Sequence, residues 1–291
     1  MKILVTGGSG FLGRNVIKAL LKEGHSVIGF SRSQPSYFVD KKNVEWIQGD
    51  FATGEGLDSI PWEELDAVFH LAAAGVKSSK REWSECIQVN IIGTERLLQL
   101  IGTRALKKPK IFIAKTFYEK VINDVQDFKK NPYIVTKEAA SQLAELWSKD
   151  YQGVTIFGTL YHAFGPNDDP SSVLSYAARQ LKLGKPARFS SGKALGDWLY
   201  VTDMAEGILA ALKASEQGVY HWDIGSGNLT TVRHLIEQLL MISGRSSEQI
   251  VFDPGLDRTE SIIQEAAQKL PPGFIPKLTL QEGLKEHYQL Q

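Results

Sequence analysis

Tyr133 and Lys137 stand four residues apart in the run Pro-Tyr-Ile-Val-Thr-Lys. On a helix that spacing puts a phenol and an ammonium on one face. A cation beside a phenol favours the phenolate and draws its pKa down from about 10. Such a tyrosine can pass a proton to or from a carbonyl or carbinol oxygen, while the lysine holds a ribose. A Tyr-x-x-x-Lys pattern by itself is common on helices, so what precedes it decides its weight. Near the N-terminus, Gly7-x-x-Gly10-x-x-Gly13 lies between an apolar run and an amphipathic one. Glycines at that spacing let the backbone turn tightly and approach a pyrophosphate, with a helix N-terminus facing the charge.

These residues need a scaffold, and short apolar runs alternate with helical patterns along the first half. Strands are expected at Lys2–Val5, Ser26–Phe30, Val44–Gln48, Ala67–Leu71, Lys110–Ala114 and Val154–Leu160. Helices are expected at Phe11–Glu23, about Ser84–Leu106 and Tyr133–Tyr151. Near-continuous apolar strands suit a parallel sheet covered on both faces, so this is an α/β chain with a Rossmann-like doubly wound sheet. After Phe164–Pro170 the rhythm changes. Helices near Ser171–Leu183, Asp203–Ala214 and Thr231–Ile242 enclose short strands at Trp198–Val201 and Val219–Asp223. The tail adds a strand at Ile250–Phe252 and helices around Glu260–Leu270 and Leu280–Tyr288. The expected division is a dinucleotide-binding domain over 1–165 and a smaller mixed α/β lobe over 166–291, partly interleaved.

Lys+Arg and Asp+Glu both count 33, so no bulk charge draws the chain to nucleic acid or to an anionic membrane. One cysteine, Cys86, leaves no internal disulfide to form. No apolar run reaches the ~18 residues of a membrane span, and the N-terminal run is too short for a signal peptide. A cytoplasmic protein is expected. Its six histidines show no metal-like spacing, so no metal is expected.

The second strand ends in Ser31-Arg32-Ser33, without the acid that usually binds an NAD ribose. Arg32 is either a partner for the 2′-phosphate of NADP or a solvated loop residue; NADP(H) is favoured and NAD stays open. Asp50, ending the third strand, either accepts from an adenine amino group or shapes a turn.

Taken together, Thr-Gly-Gly-Ser-Gly-Phe-Leu-Gly, His-Leu-Ala-Ala at 70–73, Asn90 in Val-Asn-Ile-Ile-Gly-Thr, Pro-Tyr-Ile-Val-Thr-Lys, Phe-Gly-Pro-Asn-Asp and Asp-Trp-Leu-Tyr-Val-Thr-Asp resemble the extended short-chain dehydrogenases/reductases. That family holds nucleotide-sugar epimerases, dehydratases and ketoreductases, and the resemblance covers most of the chain. It implies a nicotinamide cofactor held by Gly7, Gly10, Phe11, Leu12, Gly13, Arg32, Asp50, Phe51, Leu71, Ala72, Ala73, Asn90 and Lys137. It also implies a nucleoside-diphosphate sugar in the second lobe and a homodimer built on the two long helices. Tyr133 and Lys137 match the catalytic pair.

The departures are informative. The family's Ser or Thr after the fifth strand meets Ala114 in a gapless match to the usual Val-Tyr-Gly, so Thr116 is either the substitute hydroxyl or a structural threonine. The usual diphosphate arginine is Gly196, leaving Arg188 or Arg258 to take that task, with Asn167 beside them. His162 stands where an asparagine often meets the substrate phosphates; it donates there or is simply buried. The compact interval from Thr116 to Tyr133, with Arg32, resembles the branch reducing 4-keto-6-deoxyhexoses, of the CDP-abequose synthase kind. An NAD-dependent 4-epimerase is the alternative, and an NADP(H)-binding regulator without turnover is the reading from another class.

Overall fold

A computed structural model of the chain describes residues 1–33, 43–77, 81–121, 129–257 and 265–290. In the first half β1 (Lys2–Thr6), α1 (Phe11–Lys22), β2 (Ser26–Ser31), β3 (Val44–Gln48) and β4 (Ala67–His70) lead into α2 (Trp83–Cys86) and α3 (Gly93–Arg104). Then follow β5 (Lys110–Thr116), α4 (Pro132–Tyr151) and β6 (Thr155–Leu160). The second half runs β7 (His162–Phe164), α5 (Val173–Leu183), β8 (Ala187–Phe189), β9 (Leu195–Tyr200), α6 (Val201–Lys213), β10 (Val219–Ile224), β11 (Leu229–Thr231), α7 (Val232–Ser243), β12 (Ile250–Phe252) and α8 (Leu280–Leu290).

Seven strands form one parallel sheet in the order β10-β6-β5-β4-β1-β2-β3. The strand order reverses between β1 and β4, and that switch point opens a crevice at their carboxyl ends. Alternation along β1 explains why both faces are covered. Ile3 and Val5 pack with Val16, Ile17 and Leu20 of α1 and with Met204 and Ile208 of α6. Leu4 points the other way, into a core with Leu97, Leu98 and Ile101 of α3 and Ala144 of α4.

The strand expected at Val219–Asp223 lies not in the smaller lobe but at the edge of the large sheet, against β6. A three-stranded sheet, β11-β9-β7, and a two-stranded one, β12-β8, build the rest, over a core of Phe164, Leu174, Leu181, Leu235 and Leu239. The long helix expected over Ser84–Leu106 is interrupted: Ile87–Ile92 forms a π-helical turn between α2 and α3. The helix expected around Glu260–Leu270 is not found in its described part, 265–270; residues 258–264 lie outside the described residues. The reason is competition for its backbone donors. Ala267 N–H bonds Oδ2 of Asp197 at 2.9 Å, and Gln268 and Lys269 N–H both reach Oδ2 of Asp223. Those donors are no longer available to carbonyls four residues back. Farther on, Lys277 and Leu278 N–H bond Oδ2 of the buried Asp203. Among the described residues, no helix is long and apolar enough to cross a membrane.

Candidate active site

The glycine turn fills the crevice between β1 and β4. Gly7 has φ +67°, and a Cβ there would lie 2.9 Å from the backbone of Ala72. A Cβ on Gly13 would come within 2.2 Å of the Gly7 carbonyl oxygen, so only glycine lets α1 sit this close to the turn. Gly10 is the N-cap of α1 and lends no side chain to it. The first-turn N–H groups, those of Phe11 and Leu12 included, therefore face outward toward whatever anion the turn receives. This cradle fits a dinucleotide pyrophosphate.

A directed chain of buried hydrogen bonds holds the cradle. Leu71 and Ala72 N–H both donate to Oγ1 of Thr6 at 3.2 Å. With its acceptor side used, the Thr6 hydroxyl gives its proton to Nδ1 of His70 at 2.9 Å. His70 is thus the Nε2–H tautomer, donating to Oγ1 of Thr94 at 3.0 Å, and Thr94 donates to the Asn90 carbonyl at 2.6 Å. Burial, helped by the Lys137 ammonium, brings the His70 pKa down to about 3. Asn90, in the π turn, bonds both backbone groups of Ala74 and the Thr136 hydroxyl. The structure therefore sets it as a clamp between the turn after β4 and α4. Leu71, Ala72 and Ala73 line that turn half-buried. Asp50 Oδ1 accepts from Ala52 N–H at 2.8 Å, the turn geometry, and Phe51 is buried edge-on against Phe30 and His70. Ser31 donates to the Ser33 carbonyl, and the exposed Arg32 pairs with Glu85 at 3.3 Å.

The expected catalytic residues gather across the crevice. Asn131 caps α4 by accepting from Tyr133 N–H at 3.1 Å, and Pro132 opens the first turn. The phenol of Tyr133 faces the hydroxyl of Thr116, the last residue of β5. Lys137, buried, donates to the Ala114 carbonyl at 2.6 Å, so Ala114 contributes an oxygen after all, from its backbone. The expected lowering of the Tyr133 pKa does not occur. Burial and the nearby Glu119 carboxylate push it well above the ordinary value, Tyr118 adding to them, against the Thr116 hydroxyl and the charge of Arg81. Lys137 is pulled below its usual value, chiefly by burial, with Glu119 opposing and Lys115 assisting.

On the second-lobe side, His162 stacks on Trp198, its partner across β7 and β9, at 4.4 Å and 17°. Phe117 lies 4.6 Å away on another side. Asn167 is exposed at φ +62°, and its carbonyl accepts from Arg14 of α1. Lys77 reaches Asp169 at 3.0 Å, a second tie from the turn side to this segment. Arg188 is exposed and paired with Asp253 at 2.6 Å. Arg258 lies outside the described residues. Asp197, beside Gly196, is fully buried and accepts from Ser226, Gly227 and Ala267.

A model of the NAD dependent epimerase/dehydratase family matches residues 3–225. The chain belongs to that family. Like other extended short-chain dehydrogenases/reductases, it is similar end to end to its relatives. It is 28% identical to the UDP-glucuronate 4-epimerase of Thermodesulfobacterium geofontis, over 97% of this chain and 93% of that one. It is 21% identical to the CDP-abequose synthase of Salmonella muenchen, over 98% and 96%. The UDP-glucose 4-epimerase of Thermotoga maritima, solved with UDP-glucose, superposes with a TM-score of 0.82 at 25% identity, covering 100% of this chain and 98% of that one. The dTDP-glucose 4,6-dehydratase of Bacillus anthracis, solved with NAD, gives 0.79 at 26%, over 100% and 96%.

Within this family frame, four side chains escaped the reading from sequence: Arg14, Arg81, Lys115 and Glu119. Arg81 donates through Nε to the Gly75 carbonyl at 3.0 Å and lies 6.0 Å from the centre of the Tyr133 ring. Lys115 and Glu119 carried one signal: charged residues at and just after the end of β5, where the segment otherwise reads as small, apolar or aromatic.

Proposed function

We propose that this protein reduces the C4 ketone of a nucleoside-diphosphate 4-keto-6-deoxyhexose with NADPH. The observation that carries the reading is the Thr116–Tyr133 hydroxyl pair, with buried Lys137, opposite a glycine cradle fitted to a dinucleotide. A bound nicotinamide supplies the hydride. Tyr133, held neutral by its surroundings, gives its proton to the C4 oxygen as negative charge develops there. Thr116 orients the phenol and stabilises the same oxygen. Lys137 holds the nicotinamide ribose and returns positive charge to the pair once the phenolate has formed.

The preference for NADP rests on Arg32 and on the absence of an acid at the end of β2. Its exposed pairing with Glu85 is of the weak kind that a 2′-phosphate displaces. Residues 166–291 would hold the sugar nucleotide, with His162 and Trp198 against the sugar or its phosphates and Asn167 and Arg188 at the rim. A homodimer through α3 and α4 belongs to the same proposal; Leu146 on α4 is 67% exposed and would be covered in it.

A second reading, a 4-epimerase with retained NAD, is favoured by the relatives named above. Denaturing the purified protein and identifying the released nucleotide by mass spectrometry separates the two. Stoichiometric NAD supports the epimerase. NADP(H), or an empty site that then prefers NADPH, supports the reductase and directs the trial to 4-keto sugars.

A further inference from the structure

We propose that Glu119 is a positioning residue of this centre: it ties Thr116 beneath Tyr133 and places a buried negative charge behind the Tyr133–Lys137 pair. The inference rests on reading Tyr133 as the proton donor, and it deepens that reading.

Glu119 follows Tyr118 where the family usually carries the glycine of Val-Tyr-Gly. After β5 the chain enters a 3-10 turn, Phe117–Val121, that folds Glu119 back under the strand end. Its Oε1 accepts from Thr116 N–H at 2.8 Å, and its side chain is 3% exposed. With Ala114 in the family's serine position, Thr116 is the hydroxyl that meets the phenol, so whatever fixes the Thr116 backbone fixes the phenol's partner.

The other carboxylate oxygen, Oε2, is buried without a hydrogen bond among the described residues. Its nearest cation, Lys115 Nζ, stands off at 3.6 Å and lies closer, at 3.0 Å, to Glu145. A buried carboxylate left this incompletely paired is costly, and structural sites rarely retain one. Here its field falls on the reacting groups. Facing Tyr133 are Thr116 from β5, Tyr118 and Glu119 from the 3-10 turn, Arg81 from the segment before α2, and Lys137 on its own helix. Of the charged groups acting on the phenol, Glu119 is the largest influence, and it keeps the proton in place; it also favours the charged form of Lys137. A centre that begins its cycle by giving a proton needs such a stocked phenol. One that begins by taking a proton would be slowed by it.

Three variants test this in the holoenzyme. Glu119→Gln keeps an acceptor for Thr116 N–H and removes the charge. Glu119→Asp keeps the charge and shortens the reach to Thr116. Tyr133→Phe, alone and in each background, is the blank. Tyr133 ionisation is read as the phenolate ultraviolet absorbance lost in the matching Tyr133→Phe protein, and as the alkaline limb of kcat on the nucleoside-diphosphate sugar that is turned over. Glu119→Gln is expected to move both to lower pH by about one unit or more. Glu119→Asp is expected to leave the limb in place and lower kcat roughly tenfold or more as Thr116 loses its anchor. Cofactor affinity and melting temperature, followed in parallel, identify a variant that has lost its fold, and the other variant then decides. Gln and wild-type curves that coincide, including curves both silent over the accessible range, overturn the inference. Turnover surviving Tyr133→Phe instead overturns the functional reading on which it rests.

Discussion

Two buried polar clusters flank the crevice, and they are built on opposite principles. On the β1–β4 side, Thr6, His70, Thr94 and Asn90 are neutral, and their hydrogen bonds run in one direction from donor to acceptor. On the β5–α4 side, Lys115, Glu119, Tyr133 and Lys137 bring charge into the interior and leave Oε2 of Glu119 without a hydrogen bond among the described residues. Saturated neutral networks fix a backbone, because every displaced bond would leave a buried group unsatisfied. Charged, under-satisfied clusters are more typical of functional sites, where they tune the groups beside them. One side is built to hold; in the reading proposed above, the other reacts.

The sharpest way to break this contrast is at the reacting side. Tyr133→Phe is expected to lower kcat by about 10²–10⁴-fold, while NADPH affinity, followed by nicotinamide fluorescence, changes little. A variant that weakens binding as much as turnover would make Tyr133 a scaffold residue like those opposite.

On the holding side, pH is the probe. His70 is neutral in the folded protein, with a pKa of about 3 against 6.5 in the unfolded chain. The unfolded state therefore binds the extra proton between those values. His70 contributes its full share of stability above about pH 6.5 and loses it progressively as pH falls toward 3. The loss over that window is several kcal/mol at most, at roughly 1.4 kcal/mol for each unit of difference. Urea unfolding at pH 7, 5.5 and 4 measures it. A His70→Leu variant should be less stable at pH 7 by about 2–3 kcal/mol, since Thr6 and Thr94 lose partners, and should show a flatter decline with acid.

Two smaller effects sharpen the edges of the site. Arg32→Ala is expected to weaken NADPH binding roughly 10-fold and leave NADH unchanged, as loss of one charge-assisted contact implies. Equal effects on both would make Arg32 a loop residue and return the choice to NAD. Arg188→Ala is expected to raise KM for the sugar nucleotide by about 3-fold, with stability changed by less than ~1 kcal/mol, because its ion pair with Asp253 is exposed. An unchanged KM would remove Arg188 from the substrate rim.

The contrast also explains what could be read in the sequence. The glycine turn and the strands around it are local: Gly7, Gly10 and Gly13, a β-branched run before them and an amphipathic one after. Tyr133 and Lys137 were legible for the same reason, being one helical turn apart. The π turn at Ile87–Ile92 was not, since what accompanies it is Asn90 reaching Ala74 and Thr136, a long-range clamp. Nor was the behaviour of the phenol. Spacing brings Lys137 to the same face, but burial and a carboxylate from the next segment decide the protonation. The expected helix through 265–270 fails likewise, because Asp197 and Asp223, some seventy and forty-five residues earlier, capture its donors. Helical periodicity describes a segment's own hydrogen bonds and is blind to a carboxylate arriving from elsewhere.

Those aspartates bear on synthesis. Asp197, Asp203 and Asp223 leave the ribosome well before the backbone N–H groups of 267–269 and 277–278 that complete their hydrogen bonding. Lys120, which pairs with Asp223, and Ser226 and Gly227, which donate to Asp197, are made earlier than those groups. A nascent chain can close the sheet from β1 to β6 while these carboxylates are still hydrated. Their hydrogen-bonding shells are completed only when that last stretch of polypeptide has emerged, and Asp203 depends on it most.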